Sequence, residues 1–233
     1  MKTQLPLPCL ALVTDRRLAG DRLVECVREA VAGGVGLVEL REKDLPAGEL
    51  LALAQRLREA TRGRALLVVN DRVDVALASG ADGVHLPEAS LAVASARRLV
   101  GGQRLVGRSV HSLAAAQESA AERADYLILG TIFATTSKPG LAPAGVSLVE
   151  EVAPRVPIPV LAIGGVTARN VEQVIEAGTS GAAVVSAIFS ARSPRAAAEE
   201  LADRMQRAWR ASGKLNDRAH GAIGLLPRRE RVG

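Results

Sequence analysis

The sequence has very few aromatic side chains: two Phe, one Tyr and one Trp among 233 residues. So few rings leave little for stacking nucleic-acid bases, and the core must be built from Ala, Val, Leu and Ile. Such cores are typical of parallel strands that are covered by helices on their outer face. With 48% hydrophobic residues, a chain of this length can bury a sizeable core as one domain.

Cysteine is also scarce, and the spacing of Cys9 and Cys26 matches no metal-binding motif. No secretory signal precedes them, and no apolar run approaches the roughly 20 residues that a membrane-spanning helix needs. We therefore expect a cytoplasmic protein with two buried thiols and no membrane partner.

Positive charge is not concentrated in the main part of the chain. The formal net charge is +5, of which residues 213–233 carry +3 and residues 1–212 carry +2. Nucleic-acid binding would require a basic face with stacking or groove-reading elements, so we expect no nucleic-acid partner. Residues 213–233 lack sustained periodicity, which predicts a flexible basic tail after a domain that spans residues 1–212.

Eight short apolar runs alternate with amphipathic stretches along the chain. The runs are residues 10–13, 37–40, 66–69, 83–86, 105–107, 126–129, 160–163 and 182–185. Helices are predicted between them, for example over 22–32, 47–62 and 113–122. Repeated βα units predict a parallel sheet, and eight of them predict an α/β fold with a single (βα)8 TIM barrel.

The stretch 158–190 predicts a strand, a helix and a second strand. The first strand ends at Gly164 and Gly165, where backbone can approach a ligand closely, and Thr167 is expected to cap the helix. Backbone amides of the two glycines and of Ser186 are predicted to converge on one phosphate. The glycines taken alone would equally suit two simple turns.

In a βα barrel, chemistry collects at the C-terminal ends of the strands. The polar residues near those ends are Thr14, Asp15, Arg41, Glu42, Lys43, Asn70, Asp71, His85, Glu88, Arg108, Ser109, His111, Thr135, Thr136, Ser137 and Lys138. We expect Arg41, Lys43 and Lys138 to meet a phosphorylated ligand together, although each alone also suits a solvated rim charge.

His85 and His111 are candidate general acids or bases, because imidazole titrates near neutral pH. At the end of a buried strand, His85 equally suits a hydrogen-bonded structural role. Asn70 and Asp71 supply an amide and a carboxylate. With only one carboxylate, they would form a weak magnesium site.

Six segments together resemble the thiamine phosphate synthase and TenI superfamily: LREKD, VNDRVDVAL, ADGVHLP, ADYLILGTIFATTSKPG, PVLAIGGV and AAVVSAI. The resemblance extends over residues 10–210. It implies a TIM barrel, usually a homodimer, that acts in thiamine biosynthesis on a small-molecule thiazole phosphate.

The resemblance also implies roles for individual residues. In a synthase, a pyrimidine diphosphate would meet Arg41, Lys43, Asn70, Ser109 and Lys138, and Asp71 would bind Mg²⁺. The thiazole phosphate would be held by Thr135, Ser137, Gly165, Val185 and Ser186.

Two positions depart from the synthase pattern. Glu39 stands where synthases have a glutamine that reads the pyrimidine, and Ser90 stands where they have a second magnesium-binding aspartate. Losing one of two carboxylates weakens a metal site that neutralises a departing diphosphate. The segments LPEAS, GRSVHSL and SKPGLAPAGVSL are also more similar to the TenI branch.

The favoured prediction is therefore a TenI-like thiazole tautomerase, which needs no cofactor, ahead of a magnesium-dependent thiamine phosphate synthase. Tautomerases place a histidine at the position of Thr131, whose hydroxyl titrates far from neutral pH. The candidate catalytic residues are then His85, His111, Glu39 and Lys138. A barrel that binds a phosphorylated ligand without catalysis is the third possibility.

Overall fold

A computed structural model describes residues 2–135 and 142–213 of the chain. Every predicted apolar run forms a strand, and the strands β1 to β8 are Cys9–Val13, Leu37–Leu40, Leu66–Asn70, Gly83–Leu86, Leu105–Val110, Tyr126–Gly130, Val160–Ile163 and Gly181–Val184. Each strand pairs in parallel with the next, and β1 pairs with β8, so the sheet closes. The predicted TIM barrel is confirmed.

Helices follow the strands and cover the outside of the barrel. In chain order, α1 to α10 are Arg16–Ala19, Leu23–Ala32, Ala47–Thr61, Val73–Ala78, Val93–Val100, Leu113–Ala121, Val146–Val152, Val171–Glu176, Ser186–Phe189 and Pro194–Ala211. The helices predicted over 22–32, 47–62 and 113–122 agree with α2, α3 and α6 to within one residue at each end. Within the described ranges, no helix is long and apolar enough to cross a bilayer.

Four strands end at a residue other than the predicted one, and one of them is β6, which runs one residue further, to Gly130. Strand β5 runs three residues beyond Gly107, because Arg108, Ser109 and Val110 continue the ladder with β6. Arg108 and Ser109 are thus strand residues rather than the start of a loop. Asn70 is the last residue of β3, and β8 ends at Val184, one residue earlier than expected.

The prediction that Thr167 caps a helix was wrong. Helix α8 begins only at Val171, and Thr167 instead closes a short turn before it. The Thr167 amide donates to Asn170 Oδ1 at 2.8 Å, and the Thr167 hydroxyl accepts from the Arg169 amide at 3.3 Å. Short hydroxyl and amide side chains compete with a helix for such local bonds, which delays its start.

Two apolar clusters hold the barrel together. The larger lies between the sheet and the helices, where α10 contributes Leu201, Met205 and Trp209. The smaller fills the lumen and consists of Cys9, Ala11, Val13, Leu37, Val68, Leu105, Tyr126, Ile128, Leu161 and Ala183. A packed lumen has no open channel, so ligands have access only at the ends of the strands.

Lumen-facing residues change from apolar to polar along several strands. Successive side chains of a strand point to opposite faces, so every second residue faces the lumen. Two residues after Leu37 comes Glu39, and two residues after Val68 comes Asn70. The lower part of the lumen, its floor, is therefore apolar, and the part at the C-terminal mouth of the barrel is polar.

Gly107 makes room for the largest lumen side chain. A Cβ at this position would lie 2.2 Å from Tyr126 Cζ and 2.6 Å from His85 Nδ1. Both neighbours are buried rings, so neither can move aside at little cost.

We predict that Gly107→Ala lowers the free energy of unfolding by about 1–3 kcal/mol, the usual cost of overpacking a core. Gly102→Ala is the matched control, because a Cβ at Gly102 meets nothing within 4 Å. Urea denaturation of the two variants measures the difference, and equal stabilities would contradict the close packing of the Tyr126 and His85 rings.

Candidate active site

The first compartment of the barrel mouth lies where β6, β7 and β8 end. Its lining consists of Thr131, Thr135, Ile163, Gly164, Gly165, Val166, Thr167, Ala183, Val184, Val185 and Ser186. Gly164 and Gly165 adopt φ values of +99° and +61°, and a Cβ on Gly165 would lie 2.3 Å from the Ala134 carbonyl oxygen. Both glycines and Ser186 line this one compartment; that their backbone amides converge on a phosphate stays a prediction.

The second compartment occupies the middle of the mouth. It is lined by Val13, Glu39, Arg41, Lys43, Asn70, His85, Pro87, Glu88, Ser109, His111, Ile128, Gly130, Ile163 and Val185. Ile163 and Val185 also line the first compartment, so the two adjoin across a shared apolar wall. The second compartment carries charged side chains, whereas the lining residues of the first that the structure describes include no acidic or basic one.

Arg41 and Lys43 reach the second compartment from the segment after β2. They alternate with Glu42, which is buried and accepts a hydrogen bond from the Arg16 amide at 3.0 Å. Both cations line this compartment, and that they meet a phosphorylated ligand stays a prediction. Lys138, which was expected beside them, lies outside the described residues, as does Ser137.

Glu39 and Asn70 form a buried pair at the base of the second compartment. Asn70 Nδ2 donates to Glu39 Oε1 at 3.0 Å and to the His85 carbonyl oxygen at 3.4 Å. Because both partners are acceptors, the amide nitrogen must face them, and Oδ1 points the other way. In the part of the chain that the structure describes, this buried Oδ1 has no hydrogen-bond partner.

His85 lies at the centre of a buried chain of polar side chains. Its Nδ1 lies 3.2 Å from the Tyr126 hydroxyl, and its Nε2 lies 2.9 Å from Ser109 Oγ. Burial lowers the pKa of His85 and outweighs the nearby Glu39 carboxylate, which acts in the opposite direction. His85 is therefore both a structural, hydrogen-bonded histidine and a residue of the compartment wall, and it is neutral near pH 7.

The segment between β4 and α5 is fastened to β5. Arg108 donates to the carbonyl oxygens of Glu88 and Leu91 at 2.7 Å and 2.8 Å, and His111 Nδ1 lies 2.6 Å from a Glu88 carboxylate oxygen. His111 is thus a half-exposed partner of Glu88 at the rim. Of the two histidine candidates, only His85 is buried in the compartment.

Asp71 lies next to the second compartment rather than in it. It faces a shallow pocket that it shares with Glu42, Lys43, Leu45, Leu50, Asn70 and Arg72. Asp71 adopts a left-handed φ of +64°, which aspartate tolerates better than most residues, and the Ser90 hydroxyl donates to its carboxylate. Ser90, at the position expected to hold a second carboxylate, is therefore the direct neighbour of Asp71.

The candidate residues within the described ranges thus gather at one mouth. Sequence reasoning missed Tyr126, because it begins a strand and lies far below the strand ends. A signal was available: Gly107 and Tyr126 are paired across β5 and β6, and a glycine opposite a large ring marks a place where the ring fills the lumen.

A family profile and the sequence relatives point to the same family. A family profile described as thiamine monophosphate synthase matches residues 10–188. A thiamine-phosphate synthase of Methanoculleus marisnigri is 46% identical over 199 residues, which are 84% of this chain and 94% of the relative. One of Roseiflexus castenholzii is 43% identical over 195 residues, 82% of this chain and 86% of the relative.

A solved structure agrees with these relatives. A thiamine phosphate pyrophosphorylase from Pyrococcus furiosus is 38% identical, with a TM-score of 0.79. The match covers 86% of this chain and 96% of that chain.

The buried His85 predicts a measurable pH dependence of stability. Its pKa is lowered in the folded protein from the usual 6.5, so below that pH the unfolded chain binds more protons. Stability is then lost as the pH falls from about 6.5 towards the folded pKa, by up to about 1.4 kcal/mol per pH unit. Between pH 7.5 and pH 5.5, urea denaturation should show a smaller loss in the free energy of unfolding for His85→Gln than for the unmodified protein. An equal loss in the two proteins would contradict His85 as the source of the pH dependence.

Proposed function

Because the chain belongs to the thiamine monophosphate synthase family, we propose that it is a thiamine-phosphate synthase. It joins hydroxymethylpyrimidine diphosphate to a thiazole phosphate and releases diphosphate. The comparisons favour this activity over the thiazole tautomerase that the sequence alone led us to prefer. Within thiamine biosynthesis, the proposal therefore replaces our first ordering of the two reactions.

The observation that carries the proposal is the pair of adjoining compartments. A reaction that joins two substrates needs two binding places with a common boundary, and Ile163 and Val185 provide that boundary. The glycine-lined compartment suits the thiazole phosphate, and the compartment with Arg41 and Lys43 suits the pyrimidine diphosphate.

The distribution of titrating groups supports the synthase rather than the tautomerase. A tautomerase needs an acid or base beside the thiazole ring. The described lining of the first compartment offers only hydroxyls, from Thr131, Thr135, Thr167 and Ser186. In the second compartment, His85 is engaged at both ring nitrogens, and because its pKa is lowered it is neutral near pH 7 and carries no imidazolium proton to donate.

In the proposed reaction, Arg41 and Lys43 bind the diphosphate and stabilise the charge that it gains as it leaves. Ser109 donates a hydrogen bond to one of its oxygens. The orphaned Asn70 Oδ1 accepts a hydrogen bond from a donor group of the bound substrate, which removes the cost of burying it without a partner.

The residues present fit a magnesium ion that is held mostly by the substrate. Among the described residues, no group of three or more His, Cys, Asp or Glu side chains could form a closed metal site. Magnesium commonly takes only one or two protein carboxylates and completes its shell with water and phosphate oxygens. Asp71, exposed beside Lys43, supplies one carboxylate, and the bound ion would neutralise the diphosphate charge.

The direct test incubates the purified protein with both substrates and Mg²⁺ and measures thiamine phosphate. We expect turnover that Asp71→Asn reduces roughly 10- to 100-fold. Asp203→Asn, on the outer helix α10, is the matched control and should keep full activity. Conversion of the thiazole carboxylate phosphate without Mg²⁺ would instead identify a tautomerase, and binding of the thiazole phosphate without any turnover would identify a non-catalytic barrel.

Ser90 offers a sharper test of the metal site. Ser90→Asp places a second carboxylate beside Asp71, so we expect the Mg²⁺ concentration for half-maximal activity to fall roughly tenfold. Ser90→Ala removes the hydrogen bond to Asp71 without adding charge and should not lower that concentration. A Ser90→Asp variant with the same Mg²⁺ dependence as the unmodified protein would argue against magnesium at Asp71.

A further inference from the structure

The polar chain Tyr126, His85 and Ser109 connects the floor of the lumen to the wall of the second compartment. Tyr126 and His85 are 0% and 1% exposed, whereas Ser109 is partly exposed and lines the compartment. The two rings have centroids 5.6 Å apart and are tilted by 34°. The chain therefore has one buried end and one end that a ligand can touch.

The direction of the first hydrogen bond follows from the Tyr126 hydroxyl. Burial raises the pKa of Tyr126 well above its usual value, so the phenol keeps its proton. Across residues 2–135 and 142–213, His85 Nδ1 is the one hydrogen-bond partner that the structure gives this hydroxyl. Leaving the O–H unpaired in the lumen would cost about 1–3 kcal/mol, so it donates to Nδ1.

The direction of the second bond follows from the first. A neutral imidazole carries one proton, and because Nδ1 accepts from Tyr126, that proton is on Nε2. The Nε2–H then donates to Ser109 Oγ at 2.9 Å. As the serine oxygen accepts from within the protein, its own O–H is turned to the compartment that Arg41 and Lys43 also line.

We propose that Tyr126 is a positioning residue, which fixes the Nε2–H tautomer of His85 and thereby makes the Ser109 hydroxyl a donor to an anionic oxygen of the ligand. The identification of this ligand as a diphosphate rests on the proposed function. The assignment of the His85 tautomer does not depend on that function. With the opposite tautomer, the Ser109 hydroxyl would donate its hydrogen bond to His85 Nε2. It would then offer only lone pairs to a negatively charged group of the ligand.

The first experiment reads the tautomer directly. In protein labelled with ¹⁵N-histidine, two-bond ¹H–¹⁵N correlations at pH 7.5 distinguish Nε2–H from Nδ1–H imidazole. Spectra of His85→Gln assign the His85 signals. We expect Nε2–H for His85, and a predominant Nδ1–H form would overturn the proposal. The measurement requires no substrate, so it stands even if the protein makes no thiamine phosphate.

The second experiment tests whether Tyr126 acts through Ser109. Calorimetric titration with inorganic diphosphate measures the affinity of the unmodified protein, Tyr126→Phe, Ser109→Ala and the double variant. We expect Ser109→Ala to weaken binding roughly 10- to 100-fold, the range for one hydrogen bond to a charged group, and Tyr126→Phe to weaken it by no more than that. The double variant should be no weaker than Ser109→Ala, because both changes remove the same donor to the ligand.

A merely structural role for Tyr126 gives a different pattern. Its loss would then weaken binding independently of Ser109, so the two effects would multiply in the double variant, and that result would overturn the proposal. Urea denaturation shows whether Tyr126→Phe, which keeps the ring, remains folded under the assay conditions. If it does not, the tautomer of His85 in the unmodified protein still decides between the two possibilities.

Discussion

Closure of the sheet by the β1–β8 pairing is the constraint on which the rest of the molecule depends. Once Cys9 is opposite Gly181 and the ladder is complete, every strand has two neighbours and no edge is left. Closure also fixes which side chains face the lumen, because the alternation along each strand allows no local choice. Register therefore places the polar residues at the mouth. Glu39 and Asn70 follow Leu37 and Val68 on the same faces, and His85 and Ser109 follow Gly83 and Gly107.

Placing polar groups in a closed lumen is costly unless they bond to one another. Hydrogen bonds between the polar side chains offset this cost. Asn70 binds Glu39, and His85 binds both Tyr126 and Ser109. Gly107 is part of the same solution, since its missing side chain is the space that the Tyr126 ring occupies. The apolar floor below excludes water, so each polar pair has a fixed partner and a fixed orientation.

The barrel could be predicted from the sequence because short buried strands leave an unambiguous pattern, and the observed strands differ from it by at most three residues. The mouth residues could also be predicted, because they stand at the ends of those strands. Side-chain contacts made by the loops could not be predicted. The hydrogen bond from Ser90 to Asp71 and the bond from Arg108 to the segment around Glu88 depend on side-chain conformations that leave no periodic signal in the sequence. Tyr126 was missed for a related reason, since its partner is 41 positions away along the chain.

The same geometry explains why the first compartment could not decide between the two reactions. Both reactions use a thiazole phosphate, so the glycines that follow β7 suit either one, and the difference must lie across the wall that the two compartments share. There, Arg41 and Lys43 stand beside a neutral His85, an arrangement that favours binding a second anion over moving a proton. With Asp71 as a single carboxylate, magnesium would bind well only when a diphosphate supplies further oxygens. In the proposed synthase, the metal and the diphosphate substrate would thus bind together. The missing second carboxylate would make metal binding depend on the bound diphosphate and would not abolish the reaction.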